Sequence, residues 1–334
     1  VSARTALGTY GLRVILGIAL LAVLVSSNVL DWRSLRGLGT RWPLTLSAFG
    51  LICVAFLLTS WRSCRLFAAR RLTLSLADSG RLTVIGIAAN MVLPLVGSDV
   101  TRLVYTARGQ PGRRTEIGTV ILIDRVLGLT AMLALPVVLA PWFLDVLRAS
   151  APLRWLTAVA AVLTLGALVA LALPLSRSFR TSRWLNAVID WLPFRAHIHR
   201  VADTLHAYRA DPLALAWGTL ASLASHGLVA VSVVLLHLAL LPGSAEPRVA
   251  FLASLGFVSY NIPITPGAIG IAEVTFATLF RNAGLAAGAE AMLGLRFLML
   301  ALVPIGVWFY VRGPQQMLHA DERAATTKQT IANA

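Results

Sequence analysis

The charged residues inside or directly beside long apolar runs of this chain include Asp99, Arg102, Asp124, Arg125, Glu273 and Arg296. An unpaired charge at the centre of a membrane helix costs roughly 2.5–3.5 kcal/mol even on lenient insertion scales, so such residues face the protein interior and pair. Asp124 and Arg125 are sequence neighbours and point apart on a helix, and Glu290 and Arg296 also sit on different faces, so their partners come from other helices. Glu116 opens the run that carries Asp124 and Arg125, which puts that pair about 12 Å further in. A guanidinium fork matches the geometry of a phosphate group. The set therefore suits an anionic, phosphate-bearing ligand, with Arg125 and Arg296 holding the phosphate and Asp124 and Glu273 balancing them in its absence. Structural ion pairs between spans are the competing reading.

Two interrupted stretches position these charges. The first runs Asn90, Pro94, Gly97, Asp99 and Arg102; the second runs Asn261, Pro263, Pro266, Gly267, Gly270 and Glu273. Each has an Asn, then Pro, then Gly, then an acid at the start of a new helix. Broken backbone at membrane depth survives only inside protein or beside a wet cavity, so 82–97 and 249–281 are predicted to be re-entrant or discontinuous helices. The broken-helix positions are Pro94, Gly97, Pro266, Gly267 and Gly270, and the helix N-termini they expose favour anions. Such a pair of interruptions in corresponding places marks an inverted repeat with a binding site between its halves. Asn90, Asn261, Asp99 and Arg102 join the four span charges as candidate substrate contacts. Two independent kinks that only assist packing are the alternative.

The elements around them are set by composition. The chain has 334 residues, is 57% hydrophobic and only 13% charged; soluble domains are about 25% charged. That surplus of apolar surface needs lipid, which excludes a water-soluble enzyme, a disordered chain and a disulfide scaffold. Apolar runs at 12–30, 43–60, 116–141, 153–175, 213–241 and 288–311 have the length of spans. The first is expected to be a true span rather than a cleaved signal peptide. Lys and Arg number 29 against 14 Asp and Glu, and Lys328 is the single lysine. With six spans, two re-entrant elements and both termini in the cytoplasm, 20 basic residues fall on cytoplasmic segments and 7 on outer ones, as the positive-inside rule requires. Arginine between apolar runs points to a membrane surface rather than to nucleic acid.

These residues together resemble the transmembrane-region family of lysylphosphatidylglycerol synthases, the flippase-like half of the multiple peptide resistance factor. Trp61-Arg62 resembles the family's Trp-Arg step, and Asn90, Pro94, Asp99 and Arg102 fall at the spacing of its Asn-x-x-x-Pro-Gly-x-x-Gly-[Asp/Glu]-x-x-Arg segment. Asp124-Arg125 is similar to its acidic-Arg pair, and Pro266 to Glu273 to its Pro-Gly-Gly-x-Gly-x-x-Glu signature. Leu95 stands where the family has Gly, the following Gly is shifted to Gly97, and Ala268 replaces the second Gly of the signature. The resemblance implies movement of a charged phospholipid, or of a polyprenyl-linked or hopanoid-type lipid, between leaflets. The synthase part of the bifunctional relatives is a large C-terminal domain, and no aminoacyl-transfer chemistry is expected of this chain.

The expected protein is all-α and polytopic, with six full transmembrane helices and two re-entrant elements in an inverted repeat. One transmembrane domain covers 1–315, with repeat halves near 40–141 and 213–311, and 316–334 is a short cytoplasmic tail. Its expected activity is translocation of an anionic or phosphate-bearing lipid in the cell inner membrane, without covalent chemistry, metal or cofactor. Membrane lipid is the expected partner, a second copy of the chain a further candidate, and nucleic acid is not expected. An intramembrane headgroup-modifying enzyme with Asp99, Asp124 or Glu273 as general base, and a non-catalytic partner of a glycosyltransferase or synthase, are the rivals. His226 and His237 share a face of the fifth run and read as hydrogen-bonded interhelical contacts, with a proton relay as the alternative. His197, His199 and His206 lack metal-ligand spacing. Segments 62–76 and 183–209 are amphipathic and predicted to lie in the headgroup layer.

Overall fold

The computed structural model describes residues 25–26, 33, 35–92, 96–175, 203–206, 208–243, 246–261, 265 and 268–312, without the side chains of 91, 92, 260 and 261. Most of the expected span at 12–30, Pro94, Pro263, Pro266, Gly267, the side chain of Asn261, most of 183–209 and the tail 316–334 lie outside the described residues. Among the described residues every regular element is helical.

Five helical stretches are long and apolar enough to cross a membrane: Trp42–Ala69, Arg114–Trp142, Ala151–Leu175, Pro212–Leu240 and Gly288–Arg312. They coincide with five of the six expected spans. In chain order the elements are α1 (Arg36–Thr40), α2 (Trp42–Ala69), α3 (Leu76–Val92), α4 (Gly97–Arg108), α5 (Arg114–Leu139), α6 (Leu144–Ala149) and α7 (Ala151–Ala172). There follow α8 (Pro212–Leu240), α9 (Arg248–Gly256), α10 (Ile271–Asn282) and α11 (Gly288–Leu300), and the helix resumes over 303–312. Pro304 removes the N–H that would bond the Leu300 carbonyl, which accounts for the turn at 301–302.

α2 and α8 pack along each other at the centre, and α8 also touches α5, α9 and α11. α7 lies at the edge against α5, and turns Trp155, Val162 and Leu165 outward. An outward apolar face of this kind is solvated by lipid. Trp42, Trp142 and Trp155, all exposed, sit at one end of the bundle; Trp217 and Trp308 sit toward the other. Tryptophan collects at the two membrane–water boundaries.

The two interrupted stretches are helical hairpins. α4 and α10 have 12 residues each and α9 has 9. At about 1.5 Å per residue, 12 residues give roughly 18 Å, well short of the ~30 Å hydrocarbon core. None of these helices crosses alone, and each folds back on its predecessor. In the first hairpin Gly97 lies against the backbone of Ala89, where an added Cβ would sit 2.4 Å from the Ala89 carbonyl oxygen. In the second, the Phe276 ring of α10 fills the space above Gly256 of α9. The order long helix, hairpin, long helix thus occurs over 42–142 and again over 212–312.

One expectation fails. Segment 62–76 is not a separate amphipathic helix in the headgroup layer. α2 continues through it to Ala69, with Arg62, Ser63, Leu66 and Phe67 buried. The apolar run ends near residue 60, but no proline interrupts the chain there and packing against α5 and α8 covers the polar residues that follow.

Candidate functional site

The longer of the two buried charge groups begins where α2 carries Arg62 into the bundle. Its Nε donates to Asp124 Oδ1 of α5 at 2.7 Å and its Nη1 to Ser222 Oγ of α8 at 2.6 Å. Arg102, on α4 of the first hairpin, reaches the same carboxylate: Nη1 donates to Asp124 Oδ2 at 2.7 Å, and Nη2 to Ser63 Oγ at 2.7 Å. Ser63 Oγ donates in turn to Asp124 Oδ2 at 3.2 Å. Two cations therefore share one anion, and the group carries one net positive charge. Gly128 and Gly218 make the room: a Cβ at Gly128 would come within 3.3 Å of Arg62 Nη1, and one at Gly218 within 3.6 Å of its Cγ. Asp124 lies ten residues inside the start of α5, roughly 15 Å deep, near the middle of a ~30 Å core.

Arg125 points the other way, as its adjacency to Asp124 predicts, and pairs with Asp99 of α4. The expected balance is corrected here: the counter-charge of Arg125 is Asp99, not Asp124 or Glu273, while Asp124 serves Arg62 and Arg102. On the facing helices α4 and α5, residues 99 and 102 and residues 124 and 125 form two crossed ion pairs.

In the second half, Arg296 Nε donates to Glu273 Oε1 at 2.7 Å, and Glu273 Oε2 accepts the Gly270 N–H at 2.7 Å. Arg296 Nη2 also donates to the Ala268 carbonyl at 3.3 Å. Arg296 thus pins the turn that precedes α10. Gly270 sits at φ +83, where a side chain is strained. Ala268 is also left-handed, at φ 55, which gives a physical reason for the glycine that the resembling family carries there. Ala268→Gly should stabilise the protein by up to about 1 kcal/mol, the αL penalty less the entropy of the added glycine; thermal unfolding in detergent reads it, and a drop in midpoint would contradict it.

The acids of the two 12-residue helices stand at the same position. Asp99 is the third residue of α4 and Glu273 the third of α10. Each pairs with an arginine of the next long helix, Arg125 and Arg296. The pairs differ in access: the side chains of Arg125 and Asp99 are 29% and 30% exposed, those of Arg296 and Glu273 7% and 0%. Asn90 Oδ1 accepts the Ser98 N–H at 3.0 Å and staples the first hairpin. His226 Nε2 meets the Gly128 carbonyl of α5 at 3.1 Å, the interhelical contact expected of it, whereas His237 Nε2 meets the carbonyl of Ala286, in the loop between α10 and α11, at 3.1 Å.

Sequence reading underrated Arg62 and missed Ser63 and Ser222. Arg62 falls just past an apolar run, so it reads as a surface residue. The available signal was the absence of a proline after Pro43, which lets α2 run on, together with Gly128 and Gly218 on the facing spans.

Five apolar span-length helices, two short broken hairpins and buried arginine–carboxylate groups define an all-α polytopic membrane protein with charged groups sealed inside its bundle. Residues 11–306 match the model of the family described as the lysylphosphatidylglycerol synthase TM region. The chain belongs to that family, a membrane domain related to lipid handling. Neither the curated proteins nor the solved structures compared with the chain gave a match.

Proposed function

We propose that this protein translocates an anionic, phosphate-bearing lipid between the leaflets of the cell inner membrane, with its termini in the cytoplasm and without covalent chemistry. The observation that carries the reading is the sharing of Asp124 by Arg62 and Arg102. A buried group with one excess positive charge is costly when empty and is neutralised by a singly charged phosphodiester. Arg102 stands on the hairpin and Arg62 on a central span, so the cargo phosphate would bind where the two elements meet.

The halves 42–142 and 212–312 are read as an inverted repeat. Between the start of α2 and the start of α8 the chain crosses three times if the first hairpin re-enters, through α2, α5 and α7, so the second half starts in the opposite sense. The partly exposed Asp99–Arg125 pair and the sealed Glu273–Arg296 pair then fit a conformer open on the side of the first hairpin and closed on the other, as alternating access between repeats requires.

The test is a proteoliposome assay with fluorescent phosphatidylglycerol and phosphatidylcholine, read by quenching of outer-leaflet label. The wild type should expose inner-leaflet phosphatidylglycerol faster than phosphatidylcholine. Arg102→Gln should slow the former about tenfold or more, the worth of one charge-assisted contact. Equal rates for both lipids would overturn the reading, and chemical conversion of the headgroup in detergent would favour an enzyme.

A further inference from the structure

A second pair of arginines shares a second carboxylate nearer the end of the same helices. Glu116 Oε1 accepts from Arg70 Nη2 at 3.1 Å, and Oε2 accepts from Arg113 Nε and Nη2 at 3.0 and 2.8 Å. Arg70 is eight residues after Arg62 on the chain leaving α2, and Glu116 eight residues before Asp124 on α5. The two groups are therefore rungs on one antiparallel helix pair, about 12 Å apart. Each has two cations on one anion. Arg113 is spent on structure as well, since it donates to the Arg70 and Arg71 carbonyls that end α2. Arg70 is not: it makes the single contact with Glu116, and its buried Nε has no hydrogen-bond partner. A buried donor without a partner is rare and asks for an acceptor. Exposed Arg71 and Arg114 add positive charge around it.

Between the rungs the helix pair is apolar. Leu66 lies midway between Arg62 and Arg70, Val120 midway between Glu116 and Asp124, and both are fully buried. Tyr208 is buried with them and donates its phenol to the Leu66 carbonyl at 2.8 Å. Burial pushes that phenol up from its ordinary range, so it stays a donor.

We propose that the outer rung, Arg70 with Arg113 and Glu116, is a second, peripheral site that captures the phosphodiester headgroup of an anionic lipid before it passes the Leu66–Val120–Tyr208 layer to Asp124. The proposal rests on the reading of the cargo as an anionic lipid. Glu116 holds Arg70 in the empty site and competes with the headgroup for it.

The experiment is an equilibrium titration of the purified, delipidated protein with phosphatidylglycerol, read by native mass spectrometry. Arg70→Gln should weaken binding about fivefold and Glu116→Gln should tighten it by a similar factor, with little effect of either on phosphatidylcholine. Size-exclusion profiles and thermal midpoints identify any variant that fails to fold, and Arg70→Lys then replaces Arg70→Gln, with a smaller loss expected. Opposite signs support the site, because loss of a merely structural pair would weaken binding in both variants or change it in neither; either of those results overturns it. Inorganic phosphate competing at the concentration of the lipid would make a free anion the ligand and overturn the lipid assignment, whereas competition only at far higher concentration supports it. The titration needs no transport, so a wild type that binds with this signature but moves no lipid would sink the translocation reading and leave the site standing.

Discussion

Asp124→Asn should destabilise the protein by about 3–5 kcal/mol, the cost of leaving a buried charge without its partner. The substitution keeps the volume and an acceptor oxygen, but Arg62 and Arg102 then face each other with no anion between them. Arg102→Gln should behave oppositely. It removes the excess cation and leaves Arg62 and Asp124 as a one-to-one pair, held by Ser222 and Ser63, so its cost should stay within about 1 kcal/mol. The two variants separate folding from function, because the one that keeps its stability is the one expected to lose lipid movement. Unfolding in a denaturant titration in detergent gives both numbers. If Arg102→Gln costs as much as Asp124→Asn, the cluster is a structural network in which every member is needed, and the excess charge has no bearing on ligand binding.

The second large effect is expected at the turn before α10. Glu273 has no exposed surface and serves two donors, Arg296 and the Gly270 N–H. Glu273→Ala should cost about 3–5 kcal/mol, since it strands a guanidinium and a backbone N–H together. Arg296→Met should cost a similar amount by stranding the carboxylate. The combination Glu273→Gln with Arg296→Met leaves no buried charge, and the Gln carbonyl still accepts from Gly270. Its cost should be smaller than that of Arg296→Met alone, with a coupling of about 2 kcal/mol between the positions. Additive losses would show that the two side chains act separately. Transport by a stable double variant would assign Arg296 to holding the hairpin turn rather than to holding the cargo.

The membrane class, five of the expected spans and the places of the two breaks were legible in the sequence, because lipid imposes a length of apolar chain and clustered Pro and Gly interrupt a helix where single ones, such as Pro136 or Gly128, do not. The acids at 99 and 273 could be placed at the starts of helices for the same local reason, and the opposed directions of Asp124 and Arg125 follow from helical spacing alone. Which charge meets which could not be read. Asp124 finds Arg62 and Arg102 at separations of 62 and 22 residues, while Arg125 finds Asp99 at 26. Those choices depend on the way α2, α4 and α5 lie against one another, and on two glycines that open space for one guanidinium. Arg62 shows the limit most plainly. Its neighbours on the chain make it a surface residue, and only the packing of α5 and α8 over the last two turns of α2 makes it a buried cation. Within 62–76, Arg62 and Ser63 lie one turn before Leu66 and Phe67 on the same buried face, while Arg65 and Ala68 hold the exposed one. Sequence determines how much charge the bundle must hide and where its helices stop; the tertiary structure alone decides how that charge is divided, two cations to one anion at Asp124 and one to one at Asp99 and at Glu273, because pairing inside a bundle is a matter of which helices touch.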